Sequence, residues 1–282
     1  MKNQTKFVAA FFTFILHSCF SIILHAQSSI KRQDLVCSYQ LKYQRDSTEK
    51  TIRSEYFTLL VSQNSSLFQN PRSRSRDSLR SVMMSYIKQP EIMSSYMKKV
   101  MELSMENDKF IIYKDKTAKN LFYYDWIGSK LYLYREPLAT FKWNILPKTK
   151  IISGYNCQQA VTVFGGRIFE AWFTREIPVS DGPYKFCGLP GLIISVSDTR
   201  QHYTFELLSL KASSTALNLS LPIYPAIATS KLELRQGQTA YQASLAGPAP
   251  TLGNIPSTPT TAARREAVLK FNRRRNNPIE LK

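Results

Sequence analysis

Six of the seven methionines (Met83, Met84, Met93, Met97, Met101 and Met105) fall between positions 83 and 105. Met93, Met97, Met101 and Met105 stand four apart, which on a helix lines them along one slanting ridge. Such a ridge suits three purposes: filling a core, offering an adaptable apolar surface to a ligand, or holding Cu(I) through soft thioethers. Imidazole chemistry is scarcer. His17 and His25 fall in an apolar N-terminal stretch, so a Ser–His–acid arrangement would have to use His202. That residue sits beside a turn, next to Tyr203 and near Asp198, a common place for a structural histidine. A zinc site needs several clustered His or Cys, and no Cys-x-x-Cys spacing exists. Neither a metal nor a cofactor is expected. The carboxylates Glu170, Glu176 and Asp181 are the remaining acid–base candidates. Glu170 precedes Trp172 by two positions, so both project from one strand face, and the other two acids flank the next loop. An exported glycoside hydrolase would need two such groups to converge on one bond. Without visible convergence, the expectation is a protein that is not an enzyme.

The elements that position these groups begin with a leader. Lys2 and Lys6 precede a mostly apolar run, and Leu24-His25-Ala26 ends in a small residue before Gln27. Residues 1–26 therefore read as a secretory signal cut after Ala26. Cys19 raises a lipidation alternative, but His17 fits that poorly. Cleavage removes two lysines and no acid, taking the net charge from +18 to +16 and leaving no transmembrane helix in the mature chain. A basic surface of this kind can attract nucleic acid or anionic lipid. Export argues against nucleic acid.

Residues 35–43 and 56–61 read as strands, 70–76 as a basic loop, and 79–87 with 93–104 as two helices on either side of Pro90. Strands resume at 110–113, 121–126, 130–134 and 140–146. Residues 157–164 and 167–174 form a tight hairpin about Gly165-Gly166. Two further strands follow at 192–196 and 203–210. The fold expected is mainly β with a helical insertion: a long antiparallel meander over residues 27–212, curled into an open or half barrel. Met-rich helices at about 75–105 would cover one of its faces. Residues 213–261, rich in Ser, Thr, Pro and Ala, read as linker or loosely docked chain, and 262–282 as a basic tail.

In Gly188-Leu189-Pro190-Gly191-Leu192-Ile193, Pro190 and Gly191 take the central places of a type II turn, with Gly191 at positive φ. The three apolar side chains Leu189, Leu192 and Ile193 then flank that turn. This run resembles the defining motif of the GLPGLI family of exported bacterial proteins. Asp181-Gly182-Pro183-Tyr184-Lys185-Phe186 before it adds to the resemblance, as do Gly154-Tyr155-Asn156-Cys157, Gly166-Arg167, 171–178 and the closing Asn276-Asn277-Pro278-Ile279-Glu280-Leu281. The resemblance implies export to the periplasm or outer membrane and a TonB-dependent outer-membrane receptor as partner class. It implies no catalytic residue.

Cys37, Cys157 and Cys187 remain after cleavage. If Phe164 opposes Arg167, Cys157 faces Thr174 at the sheet end where the loop to Cys187 departs. A Cys157–Cys187 disulfide is expected, against the alternative of three buried thiols. The functional expectation is an accessory or binding protein holding an apolar ligand on Met93, Met97, Met101 and Met105 or serving a receptor. A carboxylate hydrolase and a structural envelope component are the alternatives.

Overall fold

The computed structural model describes residues 34–102, 110–138, 141–217, 219, 221, 225–245, 266 and 277–281. Residues 1–26, expected as a secretory leader and including Cys19, lie outside the described residues. Elements in chain order are β1 (Leu35–Tyr43), β2 (Arg53–Val61), β3 (Ser65–Gln69), α1 (Pro71–Ser85) and α2 (Pro90–Glu102). Then come β4 (Ile111–Asp115), β5 (Asn120–Ile127), β6 (Lys130–Pro137), β7 (Asn144–Ile152) and β8 (Tyr155–Phe164). The chain continues with β9 (Arg167–Thr174), β10 (Leu192–Asp198), β11 (Tyr203–Ala212), β12 (Ala226–Ala228) and α3 (Lys231–Leu245).

These strands form one sheet in the order β12-β6-β5-β4-β3-β2-β1-β11-β10-β9-β8-β7, unclosed among the described residues. Two antiparallel meanders meet where β1 pairs with β11. Only β12 runs parallel to its neighbour, β6. Chain length requires the sheet to curl. Laid flat, β6 and β7 would stand roughly 48 Å apart across ten strand spacings. The connection 138–143 reaches at most about 25 Å.

Alternation explains which side chains enter the curl. Leu35, Cys37, Tyr39, Leu41 and Tyr43 of β1 are buried in turn, with less buried residues between them. The β8–β9 hairpin has the expected register, Phe164 opposite Arg167 through Gln158 opposite Phe173. Gly165 and Gly166 both take positive φ, 56° and 79°, as its two-residue turn requires.

The inside of the curl is filled by the connection between β9 and β10. Val179, Tyr184, Phe186 and Leu189 are buried there. The Phe186 ring lies 4.8 Å from that of Phe169 and 5.5 Å from that of Phe141. Neither hydrophobic cluster of the sheet includes a side chain from α1 or α2. The inside of the curl is thus filled by residues 177–193.

Several local expectations change. Residues 70–76 are not a loop: Asn70 caps α1, its side-chain oxygen accepting from the Arg72 amide at 2.9 Å, and Pro71 begins the helix. Of the stretch expected as linker or loosely docked chain, the described residues 213–217, 219 and 225–245 take the docked alternative. The Ser213 amide donates to Asp34 O at 2.7 Å and Leu217 N to Asp34 Oδ2 at 2.7 Å. Leu217, Leu219 and Ala226 pack on the second cluster, around Leu60, Leu67 and Ile111. α3 opens with a capping box: Ser230 N donates to Glu233 Oε2 at 2.8 Å, and Glu233 N to Ser230 Oγ at 3.2 Å.

Candidate functional site

The Gly188–Ile193 run forms no type II turn. Gly191 N donates to Leu189 O at 2.8 Å, a one-residue turn about Pro190, and Leu192 N goes to Ile177 O at 3.0 Å. Gly188, not Gly191, has positive φ, at 94°. Space decides residue 191, since a Cβ there would sit 2.0 Å from Thr174 O. Gly182 is constrained too, a Cβ there falling 2.8 Å from Ile193 Cβ. The motif is therefore a close-packing device that lays residues 177–193 along β9 and inside the sheet.

The expected site residues do not come together. Asp181 is fully buried, with Oδ1 2.8 Å from Lys114 Nζ and Oδ2 2.9 Å from Lys116 Nζ. Burial pushes its carboxyl up, but the two lysines and their hydrogen bonds outweigh that and hold it at about 2. Glu170 does share a face with Trp172, accepting from Trp172 Nε1 at 2.9 Å, and Lys150 Nζ sits 4.0 Å from the Trp172 ring centre. Glu176 accepts from Asn156 N at 2.8 Å. His202 Nδ1 lies 3.4 Å from Arg167 Nη1, which also bonds Asp198 Oδ2 at 3.0 Å. Among the described residues, no three His, Cys, Asp or Glu are grouped to hold a metal.

Cys37, Cys157 and Cys187 are three buried thiols, and the expected Cys157–Cys187 bond is not formed. The residue 181–187 stretch explains this: it folds back on itself through an Asp181–Cys187 bridge, and Trp143 Nε1 donates to Cys187 O at 2.8 Å. That fixes Cys187 in the packed interior. Burial pushes all three thiols up, that of Cys37 to about 12.

On the expected ligand ridge, Met93 is half-buried and Met97 is 38% exposed. The Met101 side chain and Met105 lie outside the described residues.

A cleft of about 830 Å³ opens instead between the concave sheet, α3 and the closing segment 277–281. Its aromatic wall comes from Phe110, Tyr123, Tyr134, Tyr184, Tyr203 and Phe205, on or beside four different strands and on the inserted connection. Tyr123 and Tyr134 stack with ring centres 4.8 Å apart. From α3 come Leu234, Arg235 and Gln238, the last anchored by Nε2 to Asp125 Oδ2 at 2.9 Å.

At the edge of this wall lies a buried cation. Lys185 is 0% exposed, and its Nζ is 2.9 Å from Tyr134 OH, 2.7 Å from Glu136 Oε1 and 2.9 Å from Glu280 Oε1. The rings of Tyr123, Tyr134 and Tyr184 surround it at 5.2 to 5.7 Å. Burial above all, and then nearby carboxylates, pushes the phenols of Tyr134 and Tyr184 well up, so both remain neutral, Tyr134 OH accepting from Lys185 and Tyr184 OH donating to Glu280. Tyr184 also holds φ at +53°, a costly backbone for a bulky residue.

The closing segment is part of the site. Tyr203 OH donates to Asn277 O at 2.5 Å, and Arg167 Nη2 to Pro278 O at 2.7 Å. Arg235 Nη2 donates to Glu280 O at 2.9 Å, and Leu281 N to Gly165 O at 2.6 Å. Sequence reading missed Lys185 and Glu280 as partners. Their signals were a lone lysine inside an aromatic run and a Pro-Ile-Glu-Leu end following a basic stretch.

The fold is a curled sheet with an inward-packed loop. Residues 164–195 match the family described as "Protein of unknown function (Porph_ging)". That stretch carries the hairpin and the inserted motif, and the match is consistent with the GLPGLI-type family that the sequence resembles. No curated protein matches the sequence. The fold is similar to that in "Structure of PNGF-II in P21 space group", at 14% identity and a TM-score of 0.54 over 74% of this chain and 34% of that one. A second crystal form of PNGF-II, in C2, gives 14% identity and 0.53, over 74% and 33%. The chain thus spans about a third of the length of those proteins. A putative outer membrane lipoprotein-sorting protein domain from Vibrio parahaemolyticus aligns at 8% identity and a TM-score of 0.22, over 66% of this chain and 88% of that chain.

Proposed function

We propose that this protein is an exported, non-enzymatic binding protein of the cell envelope, periplasmic or outer-membrane-associated, that holds an apolar ligand in the cleft. The observation carrying this reading is the cleft itself: about 830 Å³, with aromatic rings along one wall and a polar side that includes Arg45, Asp125, Lys231, Arg235 and Glu280. Small-molecule sites typically measure about 300–1,000 Å³ and combine apolar walls with a few polar anchors. The leader-like residues 1–26 support export. Among the described residues, no helix is long and apolar enough to cross a membrane. A TonB-dependent receptor is the partner class that the family resemblance suggests, with the cleft delivering or withholding a ligand.

The methionine helices take a lesser part in this reading. With Met84, Ile87, Ile92 and Met97 exposed, they offer a second apolar surface for a partner beside one face of the sheet.

Two measurements test the proposal. Protein purified from envelope fractions should release an apolar compound on solvent extraction, detected by mass spectrometry. It should also bind the neutral probe N-phenyl-1-naphthylamine saturably, with a Kd on the order of 1 μM. Neither extracted compound nor saturable probe binding would overturn it.

A further inference from the structure

The closing segment places a carboxylate where a cleft of this kind would receive the head of a ligand. Glu280 Oε1 accepts from Tyr184 OH at 2.5 Å and lies 2.9 Å from Lys185 Nζ, while Oε2 pairs with Lys231 Nζ. Lys185 and Tyr184 are 0% and 3% exposed, so their donors are fixed by the packed core. Lys231 is part-exposed and stands at the first turn of α3, on the cleft side. The segment is brought in by its own backbone. Gly165 leaves the room it needs, for a Cβ there would stand 2.9 Å from Glu280 Cα. Glu280 is thus held as a ligand is held: by buried donors on its carboxylate and by hydrogen bonds on the main chain either side.

We infer that Lys185, Tyr184 and Lys231 form an anion subsite at the edge of the cleft, occupied in this state by Glu280. The anionic head of an amphiphilic ligand takes the subsite by displacing that carboxylate. This deepens the binding role proposed above and rests on it, because the aromatic wall would take the ligand's apolar body. The chemistry fits an alkyl chain with a carboxylate or phosphate head. Charge-assisted hydrogen bonds from lysine and tyrosine favour such a head strongly over a hydroxyl. Displacement costs the protein its own pairing at Glu280, so the segment acts as an internal competitor and sets a threshold for binding.

The full chain and its Glu280→Gln variant are titrated with dodecanoate, dodecyl phosphate and dodecanol. Gln keeps the shape of the segment and removes the competing charge. The variant should bind both anions about tenfold more tightly than the wild type, with dodecanol changed by less than about twofold. A gain for one anion alone identifies the head that the subsite prefers and supports it equally. An equal change for all three ligands, or no change, would overturn the inference. Should none of the three bind either protein, the ligand-binding role fails, and the subsite is then judged separately through Glu280→Ala. The Tm of that variant should rise with acetate and not with chloride at equal ionic strength, while the wild type stays put. No acetate-specific rise would remove the subsite as well.

Discussion

Two insertions interrupt the meander, and they take opposite sides of the solvent boundary. Residues 177–193, between β9 and β10, turn inward and become the centre of the core. The α1–α2 pair, between β3 and β4, stays outside, with Met84, Ile87 and Met97 exposed and only Met83 and Val100 buried among its described large apolar side chains. Apolar content does not separate them; both carry aromatic and aliphatic residues. Backbone space and charge pairing do. The inner segment has glycines where a Cβ would strike Thr174 O or Ile193, and its Asp181 and Lys185 meet buried partners of opposite charge. The outer pair contains no glycine, and Arg72, Arg74, Lys98 and Lys99 are exposed while Arg76 is buried. A segment that brings charges into a core needs partners already waiting there, because an unpaired buried charge costs several kcal/mol.

The largest expected effect tests the inner segment. Gly191→Val drives a side chain into the Thr174 carbonyl, so it should destabilise by more than about 4 kcal/mol and yield insoluble or unfolded protein, as read by soluble expression and circular dichroism. A normally folded variant would refute the packing role given to the motif. Next in size is Lys114→Met. It leaves Asp181 buried with one partner fewer and also strips donors from Gly182 O and Phe186 O, at 2.9 and 3.1 Å. A loss of about 3–5 kcal/mol in urea unfolding is expected.

Acid gives a third, smaller test. The Asp181 carboxyl is held at about 2 in the folded protein, below its ordinary value of 3.8. Its contribution is therefore fully present above pH 4 and lost as pH falls towards 2, by about 2 kcal/mol. Glu280 is also held low: burial raises it, but Lys185 and its hydrogen-bond donors outweigh that, so it adds to the same acid loss. Asp181→Asn should flatten the part of the stability curve between pH 4 and 2 that Asp181 supplies; an unchanged slope would contradict the pairing. The smallest effect belongs to the outer pair. Met97→Gln should change stability by less than about 0.5 kcal/mol, and a loss several times larger would mean that the methionine ridge is covered after all.

The same contrast explains what could be read from sequence. β1 and β9 were legible to the residue because Leu35-to-Tyr43 alternation and the Gly165-Gly166 pair are local signals. The curl was legible too, from many short strands and tight turns. β3 was missed because Ser65-Ser66-Leu67-Phe68-Gln69 is a short run whose burial comes from β2 and β4 on either side. The inward path of residues 177–193 rests on Lys114, far along the chain, and no local pattern announces that partner. α3 falls in the stretch expected as linker or loosely docked chain, and 277–281 in the expected tail, for a similar reason. The Ser230–Glu233 capping box was visible, but the pocket that receives Glu280 is assembled from β6, the turn between β8 and β9, the inserted connection and α3. The site is a product of topology, so its residues carry no common spacing.

The central claim is that ligand binding belongs to the cleft and not to the methionine helices. Photoaffinity labelling with a neutral, diazirine-bearing long-chain alcohol, followed by peptide mapping, tests it most directly. Labels should concentrate on Phe110, Tyr123, Leu234 and Tyr241, and excess unlabelled dodecanol should suppress them. Labels concentrated on Ile92 and Met97, or spread without competition over the surface, would contradict the account.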